Sequence, residues 1–188
     1  MSGSIQNFSI EVEGIKAVCP LGEVVGNKMI AEGRIPVISC EGGCFRGEIA
    51  RVAAHIVAEE EPYSRGCHGE MFTAPRSAMA EWTKKAGKVV VIDGCFMHCH
   101  GRIMKNVVGS ENTIQFDALP MYNRDKKYSE KMLVSEVPEA ERKVLARQVA
   151  AKVLTKLRTA PHTIQSHGLS VGSSQTLCES QAGCRSNG

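Results

Sequence analysis

Apolar positions along the chain alternate between short continuous runs and stripes of helical spacing. Ile35, Pro36, Val37, Ile38 and Ser39 form an apolar, β-branched segment that ends in a glycine turn, which predicts a buried strand. Ile49, Val52, Ala53 and Ile56 then recur at i, i+3, i+4 and i+7, the pattern of a helix of about four turns starting near Phe45. Glu59, Glu60, Glu61 and Pro62 close it. Thr73 before Pro75 predicts a second helix start, with Ala78, Met79, Trp82 and Ala86 on one face and a stop at Gly87. Lys88 to Ile92 is the clearest strand, a continuous apolar run suited to a parallel strand covered on both faces. Ile103, Met104, Val107 and Val108 mark another helix, and Ile114, Phe116 and Ala118 alternate as an edge or half-buried strand does. Pro138 opens the longest helix, with Glu139 and Glu141 early and Lys152, Lys156 and Arg158 late, so its charges oppose the helix dipole. Strands alternating with helices predict an α/β fold: a three-layer domain with a short, mostly parallel sheet.

Composition sets the bounds of that domain. The chain has 188 residues, 43% hydrophobic and 23% charged, which suits one compact unit and excludes fibrous and wholly disordered classes. Residues 35–159 carry the α/β pattern, and residues 1–34, with Phe8, Ile10 and Val12 and a weak amphipathic segment from Leu21 to Ala31, read as an extension packing on it. From Ala160 to Gly188 the composition turns to Ser, Gly, Gln and Thr, which predicts a disordered tail. The longest apolar run, Val89 to Ile92, is far short of a membrane span, and the N-terminus has no basic segment followed by an apolar core. A cytoplasmic protein is the expectation. The net charge of +3 is spread along the chain, so neither nucleic acid nor an acidic membrane is expected as a partner, and a metal ion is.

Eight cysteines depart from an ordinary cytosolic domain, where thiols stay reduced. Strand, cysteine turn and helix occur twice: Ser39 leads into Cys40 and Cys44, and Ile92 leads into Asp93, Gly94, Cys95 and Cys99, each pair spaced C-x3-C. In an open parallel sheet both loops lie at the carboxyl ends of the strands, where ligands bind, and Cys67-His68 can join them. Helix N-termini and the nearby Arg46, Arg102 and Lys105 lower thiol pKa values and offset the charge of a zinc thiolate site. The spacing admits an iron–sulfur cluster as well as zinc. His98 and His100 flank Cys99, and at most one of them faces the same site if the helix has begun there. His55 lies off its helix's apolar stripe. Cys178, Cys184, His162 and His167 suggest no chemistry, and the sequence leaves open whether Cys19 approaches the site.

Val91-Ile92-Asp93-Gly94-Cys95 followed by Cys99, with Cys40 after the first strand and Cys67 between, resembles the DGC-domain family over roughly residues 35 to 120. That resemblance implies an α/β fold with Cys40, Cys67, Cys95 and Cys99 as zinc ligands, and the site reads as structural or sensory in purpose. The first loop departs from the family pattern, having Glu41, Gly42, Gly43 and an extra Cys44 where Cys-Ser-Gly is common. Cys44 is therefore an alternative to Cys67 on the metal, or a free thiol beside it. Asp93 reads as an acceptor for loop amides that orients Cys95 rather than as a ligand.

Two rival readings use the same residues. Cys40 to Arg46 spells C-x5-R between strand and helix, which resembles the phosphate loop of low-molecular-weight tyrosine phosphatases. That implies Cys40 as nucleophile, Arg46 as phosphate clamp, and Asp93 or Asp117 as acid. It leaves Cys67, Cys95 and Cys99 unused, and Gly47 replaces the usual hydroxyl residue. The other rival is thiol redox or sulfur transfer at Cys40 and Cys44 or at Cys95 and Cys99. The connection from Met121 to Ser135, with Tyr122, Arg124 and Lys126, reads as a cover for the site or a solvated loop.

Overall fold

A computed structural model describes residues 8–15 and 17–159. Expectations for the tail from 160 onward, including His162, His167, Cys178 and Cys184, lie outside the described residues. Helix α1 (Pro20–Ala31) leads to strand β1 (Ile35–Ser39), α2 (Phe45–Ala58), β2 (Tyr63–Arg65), α3 (His68–Thr73) and α4 (Ala78–Lys85). Then follow β3 (Val89–Asp93), α5 (Cys99–Val108), β4 (Thr113–Asp117), α6 (Leu119–Tyr122) and α7 (Glu139–Thr159).

The four strands form one all-parallel sheet in the order β2-β1-β3-β4. Side chains alternate across it, as the pleat requires. Val37, Val90 and Ile92 face one apolar cluster with α2 and α7 residues such as Ile49, Ala53, Val149 and Val153. Ile38, Val89 and Val91 face the other, with Met71 of α3 and Met104 of α5. This is a three-layer α/β domain. Strand β3 is buried throughout, which explains its unbroken apolar run, and β4 at the edge is half-buried.

A third apolar cluster joins Met29 of α1 to Met79 and Trp82 of α4. The Trp82 indole donates to the Arg34 carbonyl at 2.8 Å, tying α4 to the approach to β1. Phe8 is 84% exposed and Ile10 is 75% exposed, and residues 8–15 have no regular structure, so their alternation does not mark a strand.

The helix expected from Thr73 begins later. Thr73 ends α3, and Ser77, whose hydroxyl accepts the Ala80 amide at 3.2 Å, caps α4. Pro75 lies in the turn between the two helices. No helix among the described residues is long and apolar enough to cross a membrane.

The strand order places a topological switch between β1 and β3. From β1 the chain passes to β2 on one side through α2, and from β3 it passes to β4 on the other side through α5. Those helices cover opposite faces, so the carboxyl ends of β1 and β3 flank the switch point, the place where open α/β sheets bind ligands.

Candidate metal centre

Cys40 leaves β1 while its amide still donates to the Ile92 carbonyl at 3.0 Å, so its thiol is held against the end of β3. The side chain is buried. Burial pushes the Cys40 thiol pKa up, amides of Gly42 and Gly94 pull it down, and the negative charges of Asp93 and Cys99 add to the upward push. The Gly42 amide donates to Cys40 Sγ at 3.4 Å.

Asp93, the last residue of β3, is 1% exposed. Its Oδ1 accepts the His100 amide at 3.0 Å, and its Oδ2 accepts the Gly101 amide at 3.0 Å and Gln115 Nε2 at 2.9 Å. The residue before α5, His98, makes no side-chain cap bond, so Asp93 caps that helix from a neighbouring strand. The expected acceptor role is present with different donors: the first turn of α5 and a β4 side chain.

The glycine of the Asp-Gly-Cys motif has a steric reason. A Cβ on Gly94 would lie 2.7 Å from the Arg46 carbonyl carbon and 2.8 Å from the Gly47 nitrogen, so only glycine lets the β3 loop rest on the first turn of α2. On Gly101 a Cβ would lie 2.1 Å from Gln115 Nε2 and 2.7 Å from Asp93 Oδ2. Bare backbone at both places brings β3, α2 and α5 together.

One metal-ligating atom each from Cys40, Asp93 and His100 lie within 4.8 Å of one another. His68, the first residue of α3, joins this trio from the β2 side: its ring stands edge-on to that of His100, 4.6 Å between centroids. His68 Nε2 and His100 Nδ1 are both buried and accept or donate no hydrogen bond. Burial, with smaller contributions from His100 and Arg65, pushes the His68 pKa down to about 3. Burial also lowers that of His100, against an opposing pull from Asp93. Neutral imidazoles with unpaired nitrogens are metal ligands in waiting.

Arg65 closes this side. Its guanidinium donates to the Val37 carbonyl at 2.8 Å, to Ser39 Oγ at 2.6 Å and to Glu41 Oε1 at 2.6 Å. The β1 loop is thereby fixed to β2.

Of the five cysteines expected to bind metal, Cys40 belongs to the close trio. The other four belong to no such close group among the described residues: Cys44 precedes α2, Cys99 begins α5, Cys95 lies in the loop before it, and Cys67, before α3, packs against the Met29, Met79 and Trp82 cluster. Cys44, Cys67 and Cys95 are half-buried and Cys99 is exposed. Cys19 caps α1 instead, accepting the Gly22 amide at 3.4 Å. Sequence reasoning gave His68 only a joining position and left His100 undecided. The signal for both was their place directly after a cysteine at a helix start.

His98 and His100 part, as helical geometry demands. His100 turns to the trio, while His98, at φ 50°, places Nε2 3.9 Å from Asp117 Oδ2. Arg46 donates to the Ser129 carbonyl at 2.6 Å, and the Phe45 amide donates to the Met132 carbonyl at 2.9 Å. The segment after α6 thus reaches the first turn of α2.

No curated protein and no solved structure matches the chain. The model of the DGC domain matches residues 36–144, from within β1 into α7, and so takes in Cys40, Asp93, His100 and every cysteine around them. With more than half of its length matched over the layers and loops just described, the chain belongs to the DGC-domain family.

Proposed function

We propose that the protein binds zinc at the carboxyl edge of its sheet, in a site of structural or sensory role. The observation that carries this reading is the close approach of Cys40, Asp93 and His100 beside two buried imidazole nitrogens that have no partner. Cys40 and His100 are the inner ligands. Asp93 already accepts three N–H groups, so it fixes His100 and the start of α5 rather than serving as a principal ligand. His68 and the surrounding cysteines, Cys67, Cys95 and Cys99 with Cys44 as the alternative, supply the remaining donors.

Mixed thiolate and imidazole donors suit zinc. An iron–sulfur cluster needs mainly thiolates, and the close trio offers one. The phosphatase alternative gains nothing from the geometry: Arg46 is engaged by Ser129, and burial raises the Cys40 pKa where an attacking thiolate needs it lowered.

Protein purified without added metal is expected to contain about one zinc per chain. Cys40→Ser and His100→Ala should each remove most of it, and alkylation of the thiols should be slow until a chelator is added. Metal-free protein, or zinc retained in full by both variants, would refute the assignment; rapid alkylation without chelator would favour thiol chemistry.

A further inference from the structure

Arg65 is the last residue of β2, shortly before His68 opens α3, and its side chain is only 20% exposed. One terminal nitrogen of its guanidinium donates to the Val37 carbonyl of β1 at 2.8 Å. The other donates to Ser39 Oγ and to Glu41 Oε1, both at 2.6 Å. The Ser39 hydroxyl in turn donates to the same Glu41 oxygen at 2.8 Å, so guanidinium, hydroxyl and carboxylate close a ring. Cys40 is the residue between Ser39 and Glu41. Both of its neighbours are therefore gripped by one side chain from another strand. On the β2 side the Gly66 amide donates to the Val37 carbonyl at 3.1 Å, and a Cβ on Gly66 would lie 2.5 Å from Ile38 Cδ1. The chain thus leaves Arg65 pressed against β1 and enters α3 at His68 from a fixed direction.

Charge alone argues against an arginine here, because a guanidinium repels a divalent ion bound nearby. Its contribution has to be geometric. Donors ordered before the ion arrives lose less free energy on binding, and outer contacts that fix metal ligands are worth about ten- to a hundredfold in affinity. The fork is particular to arginine: lysine keeps the charge but offers a single nitrogen in place of two prongs.

Resting on the zinc reading, we propose that Arg65 is a positioning residue of the metal centre: its guanidinium clamps the Cys40 loop to β2, so that the Cys40 thiol and the His68 imidazole meet His100 as a preformed set of donors. Cys40 and His100 belong to the close trio, and the His68 ring lies 4.6 Å from that of His100. Ser39 and Glu41 complete the clamp, and Arg65 itself touches no ion.

The test measures zinc affinity of the full chain by competition with a chromophoric chelator, for the natural sequence, Arg65→Gln, Arg65→Lys, Glu41→Ala and Glu41→Gln. Arg65→Gln and Glu41→Ala should each weaken binding about tenfold or more. Arg65→Lys should recover only part of the loss. Glu41→Gln keeps an acceptor oxygen for the clamp while discarding the charge, so it should bind nearly as the natural chain does. The sign is decisive, since removing a cation beside a bound cation strengthens binding if charge is all that Arg65 contributes. The inference is overturned if Arg65→Gln binds zinc as tightly as the natural chain or more tightly, or if Glu41→Gln loses as much as Glu41→Ala; zinc binding by the natural chain would then still stand. Should Arg65→Gln fail to fold, the two Glu41 variants decide. If the natural chain binds no zinc, the zinc reading falls and the clamp is judged on metal-free protein. Alkylation of Cys40, located by peptide mass, should then be several-fold faster in Glu41→Ala than in the natural chain, and equal rates overturn the clamp.

Discussion

Asp93 gathers three roles in one carboxylate. It ends the most buried strand, satisfies two first-turn amides of α5 and holds Gln115 of the edge strand. Replacing it by alanine removes the cap and leaves three donors, one buried and two part-buried, without that acceptor, each a loss of about 1 kcal/mol. Asp93→Ala should therefore lower unfolding free energy by about 3 kcal/mol in urea titrations; a change under about 0.5 kcal/mol would show that water replaces the carboxylate. The motif residues were legible in the sequence because Asp, Gly and Cys follow an unmistakable strand. Their division of labour was not. Which amides Asp93 would meet depends on α5 starting at Cys99, and the need for Gly94 depends on α2 lying 2.7 Å from where a Cβ would be. Both are long-range facts that no local pattern encodes.

At the scale of elements, periodicity identified α2, α5, α7, β1, β3 and β4 because each carries enough apolar residues in register with its own repeat. Strand β2 has three residues, Tyr63, Ser64 and Arg65, and is held by pairing with Ile35 to Val37 rather than by any pattern of its own. Helix α3 is similarly short, and its buried Met71 gives no repeat. Thr73 and Pro75 imitate a helix start, but Ser77 provides the capping hydroxyl.

Helix α1 shows how close packing substitutes for a strong apolar stripe: Gly26 lies so near α4 that a Cβ there would approach the Ala78 carbonyl carbon and the Met79 nitrogen to 2.4 Å. Backbone cannot yield as a side chain can, so Gly26→Ala must lift α1 from α4. A loss of about 2 kcal/mol is expected, with a red shift in the emission of Trp82, the single tryptophan, as the cluster with Met29 and Met79 opens. Unchanged stability and emission would show that α1 slides along α4 at little cost.

For the whole molecule, the core and the metal centre are separable. Apolar clusters on both faces of the sheet are complete without any ion, and a domain of this size buries enough surface to fold on that basis. Zinc should therefore add stability to an existing fold instead of creating one, unlike in a small zinc finger. The proposed ligands nevertheless come from the end of β1, the start of α3 and the start of α5, elements that only the folded chain brings together. A ligand that binds the folded state alone stabilises it by about 2.7 kcal/mol at one hundred times its dissociation constant. For a chain of this length that corresponds to a rise of about 5 to 11 °C in thermal midpoint. Chelator-treated protein should keep its helical circular dichroism and melt lower by about that amount, and returning zinc should restore the midpoint. Cys40→Ser should melt at one temperature with or without zinc. If that variant shows the full rise, the ion is bound elsewhere; if chelation abolishes the helical signal, the apolar layers are insufficient and the centre is part of the fold itself.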